Sequence, residues 1–502
     1  MSTPSTPAPD AVPPTVKQGH PPGLWVLFIT EMWERFSYYG MRALLVLYLI
    51  RSTSAVLEDG TNNDNPGFGW SEESAYYLYA IYTWAVYVVP LAGGWIADKF
   101  LGTHRSMIIG GLIISAGHVT LALTELFGIT AGQAVTLQTG PGALLCFLAG
   151  LLLIIIGTGF FKPCVSVMVG QLYERDDPRK DSGFTIFYMG INLGAFFSPF
   201  VAGTLGEKVG WHWGFGAAAV GMVLGLIVYA VFRPKYLGHI GELAPRTATT
   251  DDSPSVEHPR MTSTDWQRFA VILILSFLGN LPFWMSFEQA GSSLNVFAEQ
   301  KTDRTVSGIF GPESFFGSRF GWTTGFPATW YQAFNPLVVI TFAPLFAMLW
   351  VWLNRRHMNP STPMKFAWGQ FLLGIGFLIM VAGAFEARDG ELAGAHWLIL
   401  TYLFATWGEL CLSPVGLSMV TKLAPPNRQS LMMGIWFFGL SLSNLVSGFA
   451  AALSVKLEKG ELTFVFPGLP GFFLALAVVL FVAGLILTIL TPVLKRMMHG
   501  VH

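Results

Sequence analysis

Within the apolar run from 23 to 50, Glu31 is followed by five polar residues that lie 3, 4, 7, 8 and 11 positions after it. The six residues are Glu31, Glu34, Arg35, Tyr38, Tyr39 and Arg42. At 3.6 residues per turn they lie on one face of a helix, where Arg35 can pair with Glu31. A charge at the centre of a membrane helix costs about 2.5–3.5 kcal/mol, so this face is expected to line a cavity or contact a partner. The alternative is a purely structural ion-pair network, a role in which buried pairs stabilise little.

Four later apolar runs contain possible partners for this polar face. They hold Lys162 beside Pro163; Glu288, with Trp284, Ser292 and Asn295 predicted on the same helical face; Gln332 and Asn335 before Pro336; and Glu409, with Thr406 and Ser413 on its face. The cations Arg35 and Lys162 lie in the first part of the chain. The carboxylates Glu288 and Glu409 lie in the second. A ligand carrying both a carboxylate and an ammonium could bridge the two sets and couple binding to closure. Amino acids, peptides and some drugs have this shape.

Carboxylates buried near cations also suit proton transfer. A dry site favours the neutral carboxyl, whereas a nearby Arg or Lys favours the charged form, so forming and breaking such pairs changes the affinity for protons. The proton-coupling candidates are Glu31, Glu34, Arg35 and Glu288. Five aromatic residues could line side-chain pockets, although any single ring is more often part of ordinary packing or of an interfacial belt. They are Tyr38, Tyr39, Tyr82, Trp284 and Trp436.

The elements that position these residues are predicted to be membrane helices. The chain has 502 residues, of which 52% are hydrophobic and 12% charged, against about 25% charged in soluble domains. Long continuous apolar runs predict an all-α membrane protein and not a β-barrel. We predict about twelve spans, at 23–50, 74–97, 106–127, 141–172, 182–206, 212–232, 266–298, 328–353, 364–385, 394–420, 429–455 and 467–494.

The loops between the spans predict orientation and domains. Most of the 29 Lys and Arg residues outside the spans lie on one side, so the positive-inside rule places both termini in the cytoplasm. The longest polar break separates six spans from six, as in transporters whose halves rock about a central site; the alternative is a plain loop between unrelated helices. We predict a disordered tail at 1–22, a six-helix bundle at 23–232, a linker at 233–264, a second six-helix bundle at 265–496 and a tail at 497–502.

Several classes of function are not expected. The net charge of −1 gives no indication of nucleic-acid binding. Cys146, Cys164 and Cys411 lie within apolar runs, and the ten histidines lack metal-ligand spacing, so neither a disulfide framework nor a metal site is predicted. With no nucleophile–base set and no HExxH pair, we expect no enzyme activity and no cofactor. We expect a monomer surrounded by membrane lipid.

The same residues belong to motifs that run along the chain. They are EMWERFSYYGMR at 31–42, GGWIADKFLGTHR at 93–105, GTGFFKPCVS at 157–166, FYMGINLG at 187–194, FWMSFEQAGS at 283–292, QAFNP at 332–336, GELCLSPVG at 408–416 and LMMGIWF around Trp436. One such motif is weak evidence, but this ordered series resembles the proton-dependent oligopeptide transporters (the POT family) of the major facilitator superfamily. The resemblance implies that superfamily's fold and a symporter that imports di- and tripeptides with protons across the bacterial inner membrane by alternating access.

The resemblance also implies residue roles. Arg35, Tyr39 and Lys162 would bind the peptide carboxylate, and Asn192, Asn335 and Glu409 the peptide amino group. Arg42 with Glu288, and Lys162 with Glu409, would form gate pairs; Tyr38, Tyr82, Trp284, Ser413 and Trp436 would shape the pocket. A transporter of another anion or zwitterion, such as nitrate, an amino acid or a peptide-like drug, remains an alternative, as does a membrane enzyme or sensor. Glu409 favours peptides, because an inorganic anion has no ammonium for it to bind.

Overall fold

The computed structural model describes residues 19–56, 60, 62–174, 177, 179–242, 261–306, 308–320, 322, 325–425 and 428–500. Most of the tail predicted at 1–22 and the central part of the linker predicted at 233–264 lie outside these residues. The predicted linker begins inside a helix, because the sixth span continues to Tyr236 through Pro234.

Helices of membrane-spanning length account for most of the chain. The first, α1, is 28 residues long (Gly23–Ile50) and is distinguished by its ionisable residues. Eleven other helices in the described residues are both long and apolar enough to cross a membrane. In chain order, α2 to α12 are Glu72–Leu101, Thr103–Leu126, Pro141–Gln171, Lys180–Lys208, Trp211–Tyr236, Ser263–Gln300, Ala328–Arg355, Thr362–Glu386, Ala395–Leu423, Leu431–Glu458 and Leu469–Met497. The predicted all-α membrane fold is confirmed, with span ends that differ by a few residues.

We call α1 to α6 the first half and α7 to α12 the second half. In the first half α1 packs against α5 and α6, and α3 against α4; in the second, α9 packs against α10 and α12. The halves meet where α2 contacts α11 and where α5 contacts α8. Gly448 of α11 lies so close to Ala80 and Tyr76 of α2 that an added Cβ would overlap both. The absence of a side chain therefore allows this close helix contact.

The seventh span is not one uniform α-helix. It contains a π-helical segment, Leu275–Asn280, and a 3₁₀ turn, Glu288–Gly291. Ser292 then leaves helical geometry altogether, with φ −125° and ψ −104°. The prediction that Trp284 to Asn295 present one continuous helical face is therefore wrong. The prediction assumed the α-helical rotation of 100° per residue throughout. The π-helical and 3₁₀ segments rotate by different angles, so the last turn faces another direction.

The end of the bundle that carries loops 51–71, 127–140, 301–327, 387–394 and 459–468 is called the outer end, and the opposite end the inner end. Asn63 folds the first of these loops by donating to the Ser52 and Ser54 carbonyls at 2.8 and 2.9 Å. Two elements were not predicted by the sequence. A parallel strand pair joins β1 (Thr302–Asp303) to β2 (Ala393–Gly394), and a short helix covers Phe315–Phe320.

Candidate functional site

A cavity of about 810 Å³ lies between the two halves. This volume is in the range of pockets that bind small molecules, roughly 300–1,000 Å³. Nine of the predicted site residues line it: Tyr39, Arg42, Asn192, Trp284, Glu288, Asn335, Glu409, Ser413 and Trp436. Both halves therefore contribute polar and aromatic side chains to one central space.

The second half contributes an oriented carboxylate to this wall. Glu409 of α10 is only 8% exposed. Its Oε2 accepts a hydrogen bond of 2.7 Å from Nδ2 of Asn335 in α8, which also donates to Thr406 at 3.1 Å. One amide thus connects α8 to α10 and holds the carboxylate at the cavity. A carboxylate held in this way can form a charge-assisted hydrogen bond with an ammonium group in the cavity.

The first half contributes a cation behind an aromatic ring. The ammonium of Lys162 in α4 lies 3.8 Å from the ring centroid of Tyr87 in α2. Tyr87 lines the cavity, whereas Lys162 is not among the lining residues. The tyrosine of α2 that the sequence predicts in the pocket is Tyr82, which is only 1% exposed and does not line the cavity. The two tyrosines are five residues apart on different helix faces, and spacing alone does not tell which face points inward.

The ionisable residues of α1 form a buried cluster beside the cavity. Nε of Arg35 lies 3.1 Å from Oε1 of Glu31, and Arg35 also pairs with Glu34 and lies over the ring of Tyr38, 5.2 Å from its centroid. None of these four lines the cavity. Oε2 of Glu31 and Nη2 of Arg35 are buried with no hydrogen-bond partner among the described residues. The hydroxyl of Tyr38 is also buried without such a partner, so three polar groups of the cluster remain free to bond within it or to a ligand.

An ion pair closes the cavity toward the outer end. Arg42 of α1 pairs with Glu288 of α7, and its Nε donates to the Tyr79 hydroxyl at 2.6 Å. Nearby, Asn295 of α7 donates to the Ala43 carbonyl of α1 at 2.9 Å. Arg42 and Glu288, predicted as a gate pair, are thus joined across the halves in this structure.

The second predicted gate pair is not formed here. Lys162 lies against Tyr87, and Glu409 is bonded to Asn335. Between described residues, the hydrogen bonds and ion pairs that cross the halves are all at the outer end, including Gln300 to Glu72 at 3.0 Å and Lys456 to Glu73 at 3.9 Å. The pairing of Lys162 with Glu409 stays a prediction for a state closed at the inner end.

The cavity reaches the inner parts of several helices. Ser166 of α4, Thr185 of α5 and Trp350 of α8 all line it. Within the described ranges, no group of three or more His, Cys, Asp or Glu side chains could hold a metal. A multi-pass helical bundle whose halves enclose a cavity lined by apolar residues and a few polar ones, closed at one end and extending toward the other, is the architecture of a secondary transporter.

Comparison with known proteins specifies the family. A model of the POT family matches residues 104–245 and 259–466, and the chain belongs to this family. It is 37% identical to the uncharacterized transporter YclF of Bacillus subtilis, over 96% of both chains. It is 33% identical to a di-/tripeptide transporter of Lactococcus lactis subsp. cremoris, over 95% of this chain and 97% of that one. A crystal structure of a mutant peptide transporter POT with alafosfalin superposes with a TM-score of 0.78 at 33% identity, over 96% of this chain and 97% of that one.

Proposed function

We propose that this chain is a proton-coupled symporter that imports di- and tripeptides across the bacterial inner membrane by alternating access. The observation that carries the proposal is the placement of opposite charges by the two halves around one cavity. Glu409, held by Asn335, lies on the wall of the second half. Lys162 and Arg35 lie in the first half, next to that cavity. A relative that is itself a di-/tripeptide transporter supports the assignment.

The charges assign an orientation to the peptide. Its ammonium would contact Glu409, with Asn335 and Asn192 beside it, and its carboxylate would face Lys162 and Arg35. Lys162 would reach the carboxylate by moving past the Tyr87 ring, exchanging a cation–π contact for a charge-assisted hydrogen bond. An extended peptide would thus connect the halves through its two ends, which couples occupancy to closure at the inner end.

The proton would act through carboxylates that pair with arginine. A proton from the outer side that neutralises Glu288 would weaken its pairing with Arg42 and allow the outer end to open. Glu31, whose Oε2 has no hydrogen-bond partner among described residues, would hold a proton near Arg35 during transport, with Glu34 alongside. Return of Glu288 to the charged form would restore the outer ion pair and close that end.

Uptake into proteoliposomes tests the cargo. Labelled dialanine should accumulate when an inward proton gradient is imposed and should only equilibrate without one. Unlabelled dialanine should compete, whereas nitrate and free alanine should not. Glu409→Gln should raise the KM for dialanine by about tenfold, since a charge-assisted contact is lost. Competition by nitrate or alanine equal to that by dialanine would instead support the alternative of another anion or zwitterion.

Separate variants test the coupling. Glu31→Gln, Glu34→Gln and Glu288→Gln, singly and together, should abolish gradient-driven accumulation while exchange of labelled for unlabelled dialanine continues. Glu386→Gln is a suitable control, because Glu386 accepts hydrogen bonds from Gly394 and Trp397 outside the cavity. Unchanged gradient-driven uptake in the triple variant would refute the proposed proton sites.

A further inference from the structure

A carboxylate of the first half caps a helix of the second half. Oε2 of Glu207, near the end of α5, accepts from the backbone N–H of Ala328 at 2.8 Å. Its Oε1 accepts from the N–H of Thr329 at 2.9 Å and from the Thr329 hydroxyl at 2.7 Å. Ala328 and Thr329 begin α8, and the first N–H groups of a helix have no acceptor within it. We call Glu207 with Ala328 and Thr329 the Glu207 cap.

The Glu207 cap lies in a buried charged network. The Glu207 side chain is 7% exposed, and Nη1 of Arg304 lies 3.6 Å from its Oε2. Arg304 also contacts Glu299 of α7 at 3.0 Å, and Glu299 lies 3.7 Å from Arg51. Lys208, the neighbour of Glu207 in α5, has its ammonium 5.7 Å from the centroid of the Trp322 ring. Arg304 therefore shares its charge between a carboxylate of each half.

Close packing surrounds the same contact. Nε1 of Trp330 in α8 donates to the Thr204 hydroxyl of α5 at 2.9 Å, and its ring centroid is 5.0 Å from that of Phe200. Gly203 of α5 faces Thr329, and an added Cβ would overlap the threonine hydroxyl. The first turn of α8 and the outer part of α5 therefore cannot separate without breaking the hydrogen bonds to Glu207.

We propose that Glu207 is a positioning residue for transport, which stabilises the outer-closed state by capping α8 and must release Ala328 and Thr329 whenever the outer end opens. The cap joins α5 to α8, whereas Arg42 and Glu288 join α1 to α7. It is thus a second, separate closure. The inference rests on the proposed function only in requiring that the halves separate at the outer end.

The variant Glu207→Gln keeps the shape of the side chain but weakens the cap. It loses the negative charge that suits a helix N-terminus, and its amide N–H₂ faces backbone donors. The outer-open population should rise about tenfold, the effect of losing one charge-assisted hydrogen bond. Because more of the protein is then ready to bind external cargo, the KM for dialanine should fall while kcat falls with slower closure. General destabilisation would not lower KM.

Distance measurement between spin labels tests the inference directly. Labels at Gln138→Cys and Glu391→Cys occupy exposed outer loops of opposite halves, in a background with Cys146, Cys164 and Cys411 replaced by Ala. Without cargo or proton gradient, Glu207→Gln should raise the fraction of molecules with the longer, outer-open distance about tenfold. Thr329→Val should raise this fraction by less, and Thr329→Ser, which retains the hydroxyl, should leave it unchanged.

Glu386→Gln provides the matched control. Glu386 accepts from the Gly394 N–H at 2.9 Å, just before α10, so it also bonds a helix start, but within the second half alone. Distance distributions for Glu207→Gln and Thr329→Val equal to that of Glu386→Gln would overturn the proposal. If Glu207→Gln fails to fold, Thr329→Val decides alone, because it keeps the carboxylate. Since no cargo is present, a failure of dialanine uptake would not affect this result.

Discussion

Asn335 orients the carboxylate of Glu409 at the cavity wall. Its amide contacts both Thr406 and Glu409, so the carboxylate has one preferred orientation before any ligand arrives. Pre-orientation of this kind lowers the cost of binding, because less side-chain freedom is lost. The residue thus affects affinity through Glu409 as well as through any direct contact with the peptide.

Asn335→Ala should raise the KM for dialanine by about three- to tenfold, less than Glu409→Ala, because the carboxylate remains but is no longer held. Uptake kinetics in proteoliposomes measure this change. Asn444→Ala is the control: Asn444 is a buried asparagine of α11 that donates to the Leu440 carbonyl of its own helix at 2.9 Å and does not line the cavity. An equal rise in KM for both variants would argue against a specific role.

Arg42 and Glu288 allow a charge-reversal experiment. Removing one partner of a buried pair typically costs about 3–5 kcal/mol, because the other charge is left uncompensated. Arg42→Glu and Glu288→Arg should each lower the melting temperature and lengthen the distance between labelled outer loops. The double variant should recover most of both. Melting temperatures of the double variant no higher than those of the singles would show that the two side chains do not pair.

At the scale of the helices, the outer ends of α2 and α11 depend on Gly448. Gly448→Leu should force these helices apart, since a side chain has no space beside Ala80 and Tyr76. The expected results are a longer distance between labelled outer loops and a lower KM for external dialanine. Gly434→Leu on the same helix is a close control, because nothing lies within 4 Å of the Cβ position of Gly434. Equal effects of the two substitutions would contradict this account.

The helices themselves were predictable because a membrane span must satisfy its backbone hydrogen bonds internally, so a long apolar run has few alternatives to a helix. The pairing of the ionisable residues of α1 was also predictable, because a charge within a membrane helix costs free energy unless it has a partner. The break at Ser292 was not, because the sequence pattern near it still reads as helical. Glu207 was missed as well. It lies at a span end, where a charge costs little, and its partner Ala328 contributes only a backbone N–H.

At the scale of the whole molecule, the distribution of Lys and Arg predicts how the chain is oriented in the membrane, with both termini in the cytoplasm. A cysteine at Gln138, in an outer loop, should react in intact cells with a maleimide that does not cross membranes. A cysteine at Met358, which is 64% exposed between α8 and α9, should react only after permeabilisation. The reverse labelling pattern would show that the termini lie outside and that the proposed direction of import is wrong.

The small strand pair between Thr302–Asp303 and Ala393–Gly394 has a mechanical consequence. It anchors the segment that follows α7 to the connection between α9 and α10, and Lys301 adds an ion pair of 3.5 Å to Glu458 of α11. The segment bearing Arg304 is thereby tied to two other parts of its own half. When the outer end opens, this segment should move together with α7 to α12 as one rigid body. The two halves should then separate along the surface of α5, and the segment itself should stay folded.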